Sequence, residues 1–386
     1  MINGMRLHSL GLLTRIAAGV LFYTAAAGAQ EATFEGHPAV SLANDKLELL
    51  VLKQGASVAS VILRDDPARL NPLWQPARMA REANGRSRFS PGTGQFLCVD
   101  GFGGVSPEEK AAGLPNHGEA HLVEWESRRQ DGQLVLAAQL PLTRENITRA
   151  VTIAPGENVV VYETSLESQL GFDRPVCWAE HCTIGSPFLA SGVTVVDFPA
   201  VRSKTRPHEG AGGLPYRLSS DVEFTWPNAP TVDGKMVDLR AAPEHPGSID
   251  HTASLIDPRR KLAFATAINS REQLIVGWIF KPQEYPWLQN WESYPPSGKL
   301  ARGLELSTQP FDLPRRTVID QNNLWGTLLY RWLPAKSKIG SRFALFFAHA
   351  PPGMTRVDDV RWENGVLIVE DRAAGKTLRL AMANPL

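Results

Sequence analysis

Three short stretches of this chain carry side chains that could move protons. The first is Pro115-Asn116-His117-Gly118-Glu119-Ala120-His121. An imidazole on a Gly/Pro-rich loop that feeds a strand is available for chemistry rather than packed away. The second is Trp178-Ala179-Glu180-His181-Cys182-Thr183-Ile184, where a histidine interrupts a strand-like run. The third, Gly303-Leu304-Glu305-Leu306-Ser307, sets one carboxylate between two leucines. Desolvation raises the pKa of such a carboxylate and suits it to general-base work near neutral pH. Each residue taken alone also has a structural reading: His117 bonded to loop backbone, His181 satisfied inside a strand, Glu305 alternating outward. A metal site is disfavoured. His117-x-x-x-His121 has helical ligand spacing but lacks the Glu beside the first His, and on a strand the two would stand about 13 Å apart. Cys98, Cys177 and Cys182 show no metal-type spacing. Cys177 and Cys182 would lie roughly 16 Å apart on a strand, beyond disulfide reach unless the chain bends. Cys98 pairs with one of them, or all three are free thiols.

The elements that must position these groups read almost entirely as strands. Two apolar runs flank Lys53-Gln54-Gly55 as a hairpin over residues 47–63. Further strand signals cover residues 121–128, 133–140, 147–153, 159–166, 176–184, 192–197, 252–256, 261–267 and 274–280. Residues 327–333, 342–349, 366–371 and 376–381 complete the set. Gly132 and Pro155-Gly156-Glu157-Asn158 punctuate them as turns. No stretch shows a long 3.6-residue apolar period, and residues 108–112 make at most a helical turn. The pattern predicts an all-β chain, a large antiparallel β-sandwich over residues 30–386 with a small C-terminal hairpin extension near residues 355–386. Long Pro/Gly-rich stretches at residues 84–104, 202–216, 240–247 and 282–303 are expected to carry the site.

The N-terminus reads as an export signal. Arg6 and Arg15 flank an apolar segment, a second apolar run follows, and Ala27-Gly28-Ala29 precedes polar Gln30-Glu31. A basic start, an apolar middle and an A-x-A step predict a cleaved signal peptide over residues 1–29. The mature chain is therefore expected to be periplasmic or secreted and free of the membrane. Lys and Arg total 40 against 40 Asp and Glu, with no basic block, so nothing points to nucleic acid.

The order of the motifs resembles the aldose 1-epimerase (galactose mutarotase-like) superfamily. Gly55-Ala56-Ser57 and Asn71-Pro72-Leu73-Trp74 are similar to its opening hairpin and Asn-Leu-Leu-Trp-like segment. Asn116-His117-Gly118 with Trp125 is similar to its His-Gly loop, and His181 with Phe188 to its strand histidine followed by an aromatic. Asp250-His251, Asp257-Pro258 and Gly303-Leu304-Glu305 follow in the family's order. Where the family commonly has Pro-Tyr-Phe after the second histidine, this chain has Cys182-Thr183-Ile184-Gly185-Ser186-Pro187-Phe188, which marks a divergent branch.

The resemblance implies a supersandwich fold and interconversion of sugar anomers, with Glu305 as base, His181 as acid and His117 polarising the same oxygens. It needs no metal or organic cofactor. Asp250 and an arginine upstream of His117, Arg86 or Arg88, are the implied sugar-binding residues. Of the ten tryptophans, Trp287 and Trp291, placed on the long loop before Glu305, are the candidates for stacking on a pyranose. A pyranose held between acid and base would set His181 and Glu305 roughly 6–9 Å apart. The partner is a small sugar or an oligosaccharide. A sugar phosphate would call on Arg202, Lys204 and Arg206. The competing function is a carbohydrate-binding sandwich without catalysis.

Overall fold

A computed structural model describes residues 30–84, 92–208 and 214–386. The expected signal peptide and both Arg86 and Arg88 lie outside the described residues. Two large antiparallel sheets form the body. The first has eleven strands, in the order Gln30–Phe34, His37–Ala43, Leu47–Leu52, Val58–Leu63, Gln95–Val99, Trp178–Gly185, Ala301–Ser307, Trp287–Tyr294, Ser248–Ile256, Ala200–Thr205 and Glu223–Phe224. The second has eight: Thr194–Asp197, Ala263–Asn269, Leu274–Phe280, Lys338–His349, Val159–Ser168, Glu145–Ile153, Gln133–Leu140 and Glu126–Gln130. Leu97, Trp178, Leu288, Leu304 and Leu306 of the first sheet meet Leu136, Val151, Tyr162, Trp278 and Phe343 of the second in one apolar core.

Strand alternation then decides which side chains face away from that core. Trp178, Cys182 and Ile184 point into it, so Ala179, His181 and Thr183 point outward. Leu304 and Leu306 point in, so Gly303, Glu305 and Ser307 point out. Every residue of Trp178–Gly185 and Ala301–Ser307 is nevertheless buried, because loops cover the outer face. Those loops are tied together. Arg315 pairs with Asp100 at 3.2 Å, and Glu109 accepts from the Arg316 N–H at 3.1 Å.

Several expectations are revised. The stretch at residues 282–303, expected as a loop, contains the strand Trp287–Tyr294 at the centre of the first sheet. Residues 121–125 form a turn and bend with one isolated bridge, Glu124 to Gln54, and the strand begins at Glu126. The helical turn is the helix Pro107–Ala111, closed by a capping box between Ser106 and Glu109. Two further short helices, Pro76–Asn84 and Arg315–Gln321, flank the outer face. The C-terminal extension is a three-stranded sheet, Asp359–Glu363, Val366–Asp371 and Lys376–Ala381, packed through Val360, Leu367 and Val369 against Phe264, Ile279 and Phe346. All three cysteines are free and buried.

Candidate functional site

A cleft of about 410 Å³ opens on the outer face of the eleven-stranded sheet. It is lined by Trp74, Phe96, Phe102, His117, His121, His181, His251, Trp291, Glu305 and Asp312, together with Gly92 and Leu122. A larger cleft of about 880 Å³ lies against the C-terminal sheet; among the described residues it is lined by no histidine and by only Asp359 as an acidic side chain. The chemistry is concentrated in the smaller one.

His181 and Glu305 meet directly. Glu180 stands opposite Leu306 and Thr183 opposite Gly303, which sets His181 across from Glu305 on adjacent strands. The His181 Nε2 lies 3.2 Å from the Glu305 Oε1. Nδ1 of the same ring lies 2.8 Å from the Thr183 hydroxyl. Phe96, the cross-strand neighbour of His181, stacks on the imidazole at 4.3 Å. Glu305 is only 2% exposed. Burial pushes its carboxyl well above the usual range, helped by the Asp312 charge. Burial pushes His181 well below its ordinary value, helped by His117 and His121. The two groups thus hold one proton between them, and burial favours the uncharged form.

Gly303 makes this contact possible. A Cβ there would stand 2.2 Å from the Glu305 carboxylate oxygen. The cross-strand neighbour of Gly303 is Trp291, half-buried at the mouth of the cleft and edge-on to Trp74 at 5.8 Å.

His117 enters from the loop. Its φ is +65°, and its backbone N–H donates to the Gly103 carbonyl at 2.9 Å. Gly118 must be glycine: its φ is +73°, and a Cβ would lie 1.9 Å from the Val99 carbonyl. The Gly103 N–H donates to His117 Nδ1 at 3.2 Å, which leaves the ring proton on Nε2. The His117 ring stands 5.5 Å from that of His181 and 5.9 Å from that of His121. His117 and His121 share neither a helix nor a strand; a turn folds them into one cluster. Burial lowers both imidazoles, His121 to about 4.

No family model and no curated protein sequence matches the chain. Solved structures do. A galactose mutarotase related enzyme from Lactobacillus acidophilus superposes with a TM-score of 0.55 at 12% identity, over 84% of this chain and 100% of that one. A galactose mutarotase-like protein from Lactobacillus casei gives 0.54 at 12% identity, over 80% and 100%. Slr1438 from Synechocystis gives 0.54 at 15% identity, over 81% and 96%. The chain has the galactose mutarotase-like fold.

On this galactose mutarotase-like sandwich the structure brings His117, His181, Glu305 and Trp291 into one cleft. Asp250 and Trp287 are elsewhere. Asp250 faces inward with Ile256, where it accepts from the Arg217 guanidinium at 2.7 Å and from the Leu218 N–H at 3.0 Å. Arg217 also pairs with Glu292, and Glu292 with Arg302 at 3.4 Å, so the carboxylate is engaged in a buried ionic chain. Burial and the Glu292 charge lift Asp250 to about 6. Trp287 shares a face with Trp291 but is fully buried under Val318, Leu329 and Trp325. The expected wide spacing of His181 and Glu305 is replaced by direct contact. The ring oxygen and the C1 hydroxyl are bonded to the same carbon, so groups serving both must stand side by side.

Sequence reasoning missed His121, His251, Asp312, Phe96 and Phe102 as lining residues. His251 occupies the outward position next to Asp250, opposite Trp291. Alternation could have assigned it, but Leu255 and Ile256 are both apolar, and either face of that strand could have been the core face. Asp312 sits in a loop with no periodic signal. Its carboxylate lies 3.3 Å from His251 Nδ1 and 2.5 Å from Arg206. Burial opposes its ionisation, yet the attraction and hydrogen bonds it receives from His251 and Arg206 prevail and hold it well below the usual carboxylate range.

Proposed function

We propose that this chain is an exported sugar isomerase of the aldose 1-epimerase kind, acting on a free sugar or the reducing end of an oligosaccharide. The observation that carries it is the His181–Glu305 pair at 3.2 Å inside a cleft with half-buried tryptophans at its mouth. The fold shared with the galactose mutarotase related enzyme from Lactobacillus acidophilus supports it, as does the A-x-A step before Gln30 for export.

The pair suits a reaction that must run in both directions. With the cyclic sugar bound, the proton shared by the pair passes from Glu305 to His181; Glu305 as carboxylate then takes the C1 hydroxyl proton while His181 as imidazolium protonates the ring oxygen. The C1–O5 bond breaks and leaves an open aldehyde over an uncharged pair. Rotation about C1–C2 exposes the other aldehyde face. Closure returns the Glu305 proton to the new C1 hydroxyl oxygen, and His181 takes the proton from O5. Burial stabilises the uncharged pair and so supports the open intermediate, the state that is scarce in water. His117 offers an Nε2–H donor to the same oxygens. Trp291 and Trp74 provide apolar faces for the ring C–H bonds.

The test is NMR exchange spectroscopy across a panel of free hexoses and pentoses. At least one sugar should show anomer exchange proportional to protein concentration. Sugar binding with unchanged exchange throughout the panel would favour a non-catalytic carbohydrate-binding protein.

A further inference from the structure

We propose that His251 is the specificity-determining residue of the cleft, reading one substrate hydroxyl through an imidazole lone pair that Asp312 holds in place. This rests on the cleft being a sugar site. His251 is 7% exposed and lines the cleft opposite Trp291. Its Nδ1 faces the Asp312 carboxylate at 3.3 Å. Asp312 is fixed in turn by Arg206 at 2.5 Å and by Gly103, whose absent Cβ would lie 2.3 Å from the Asp312 carbonyl. An ionised Asp312 can only accept, so Nδ1 carries the ring proton, and in the neutral imidazole Nε2 is then a bare acceptor. That Nε2 is buried and has no partner among the described residues. A buried polar atom without a partner is costly, and a ligand donor would remove the cost.

His117 presents the opposite polarity, an Nε2–H donor, because Gly103 occupies its Nδ1. The cleft therefore holds one imidazole that gives a hydrogen bond and one that takes it. A sugar ring, with hydroxyls that do both, fits this arrangement. The hydroxyl facing His251 must donate, so an analogue lacking it leaves Nε2 unsatisfied.

The experiment is NMR anomer exchange on glucose, galactose and their 2-, 3-, 4- and 6-deoxy analogues, with wild type, His251→Phe and Asp312→Asn. In wild type one deoxy position should lose on the order of 10²-fold in kcat/KM. In His251→Phe the parent sugar and that analogue should give the same kcat/KM. Asp312→Asn removes the charge that fixes the ring proton on Nδ1 and should also weaken the discrimination, as rising KM for the parent, while the urea midpoint reports whether the fold is kept. Full discrimination in His251→Phe would overturn the assignment, as would a wild type indifferent to every deoxy position. If wild type accelerates no exchange, the proposed activity fails separately. Saturation-transfer NMR then reads the same sugars: discrimination that His251→Phe abolishes sustains the role of His251, and its absence, or no binding at all, ends it.

Discussion

Gly303 and Glu305 show how a site can depend on an atom that is missing. The carboxylate folds over the glycine into a space that a methyl group would fill. Gly303→Ala should therefore displace Glu305 from His181 and lower anomer-exchange activity by at least an order of magnitude, with the β-rich circular dichroism spectrum unchanged. His181→Asn keeps a polar side chain but removes the transferable proton, and should cost roughly 10²–10⁴-fold. Full exchange activity in His181→Asn would remove it from the mechanism. His117, His181 and Glu305 stand out in the sequence because each is a titratable group where a strand or tight loop would ordinarily place something else. His251 and Asp312 do not. Their significance comes from facing each other across two segments about sixty residues apart in the chain.

At the scale of strands, legibility follows the chemistry of the two faces. Strands with one apolar and one solvated face, or apolar on both, are readable: residues 133–140, 159–166 and 274–280 are strands within a few residues of expectation. Trp287–Tyr294 is hidden because its inward positions include Asn290 and Glu292, which bond Arg302 rather than apolar neighbours. Polar residues on both faces erase the period-2 signal. The same buried ionic chain explains Asp250. Asp250→Ala should leave the half-buried Arg217 with Glu292 alone and cost about 1–3 kcal/mol in urea denaturation. KM for the sugar should stay unchanged in that variant. A raised KM without loss of stability would return Asp250 to the cleft.

For the whole molecule, the buried histidines make stability depend on pH. An imidazole whose folded pKa is depressed contributes stability above its unfolded value, lost as pH falls through the folded one. For His121 that window runs from the ordinary 6.5 down to about 4. Wild type should therefore lose about 2 kcal/mol more than His121→Gln between pH 7 and pH 5, read from urea midpoints. Glu305 works in the opposite sense, since its raised pKa favours the fold at low pH. Identical pH profiles for wild type and His121→Gln would show that His121 is not buried as described. The central claim is that His181 and Glu305 act as one proton-exchanging pair on a sugar. Its most direct test is NMR exchange on the best sugar of the panel with Glu305→Gln, which keeps the shape of the side chain and cannot take a proton. The predicted result is loss of most of the acceleration, roughly 10²-fold or more, with saturation-transfer binding of the same sugar still measurable. Full exchange activity in Glu305→Gln would contradict it.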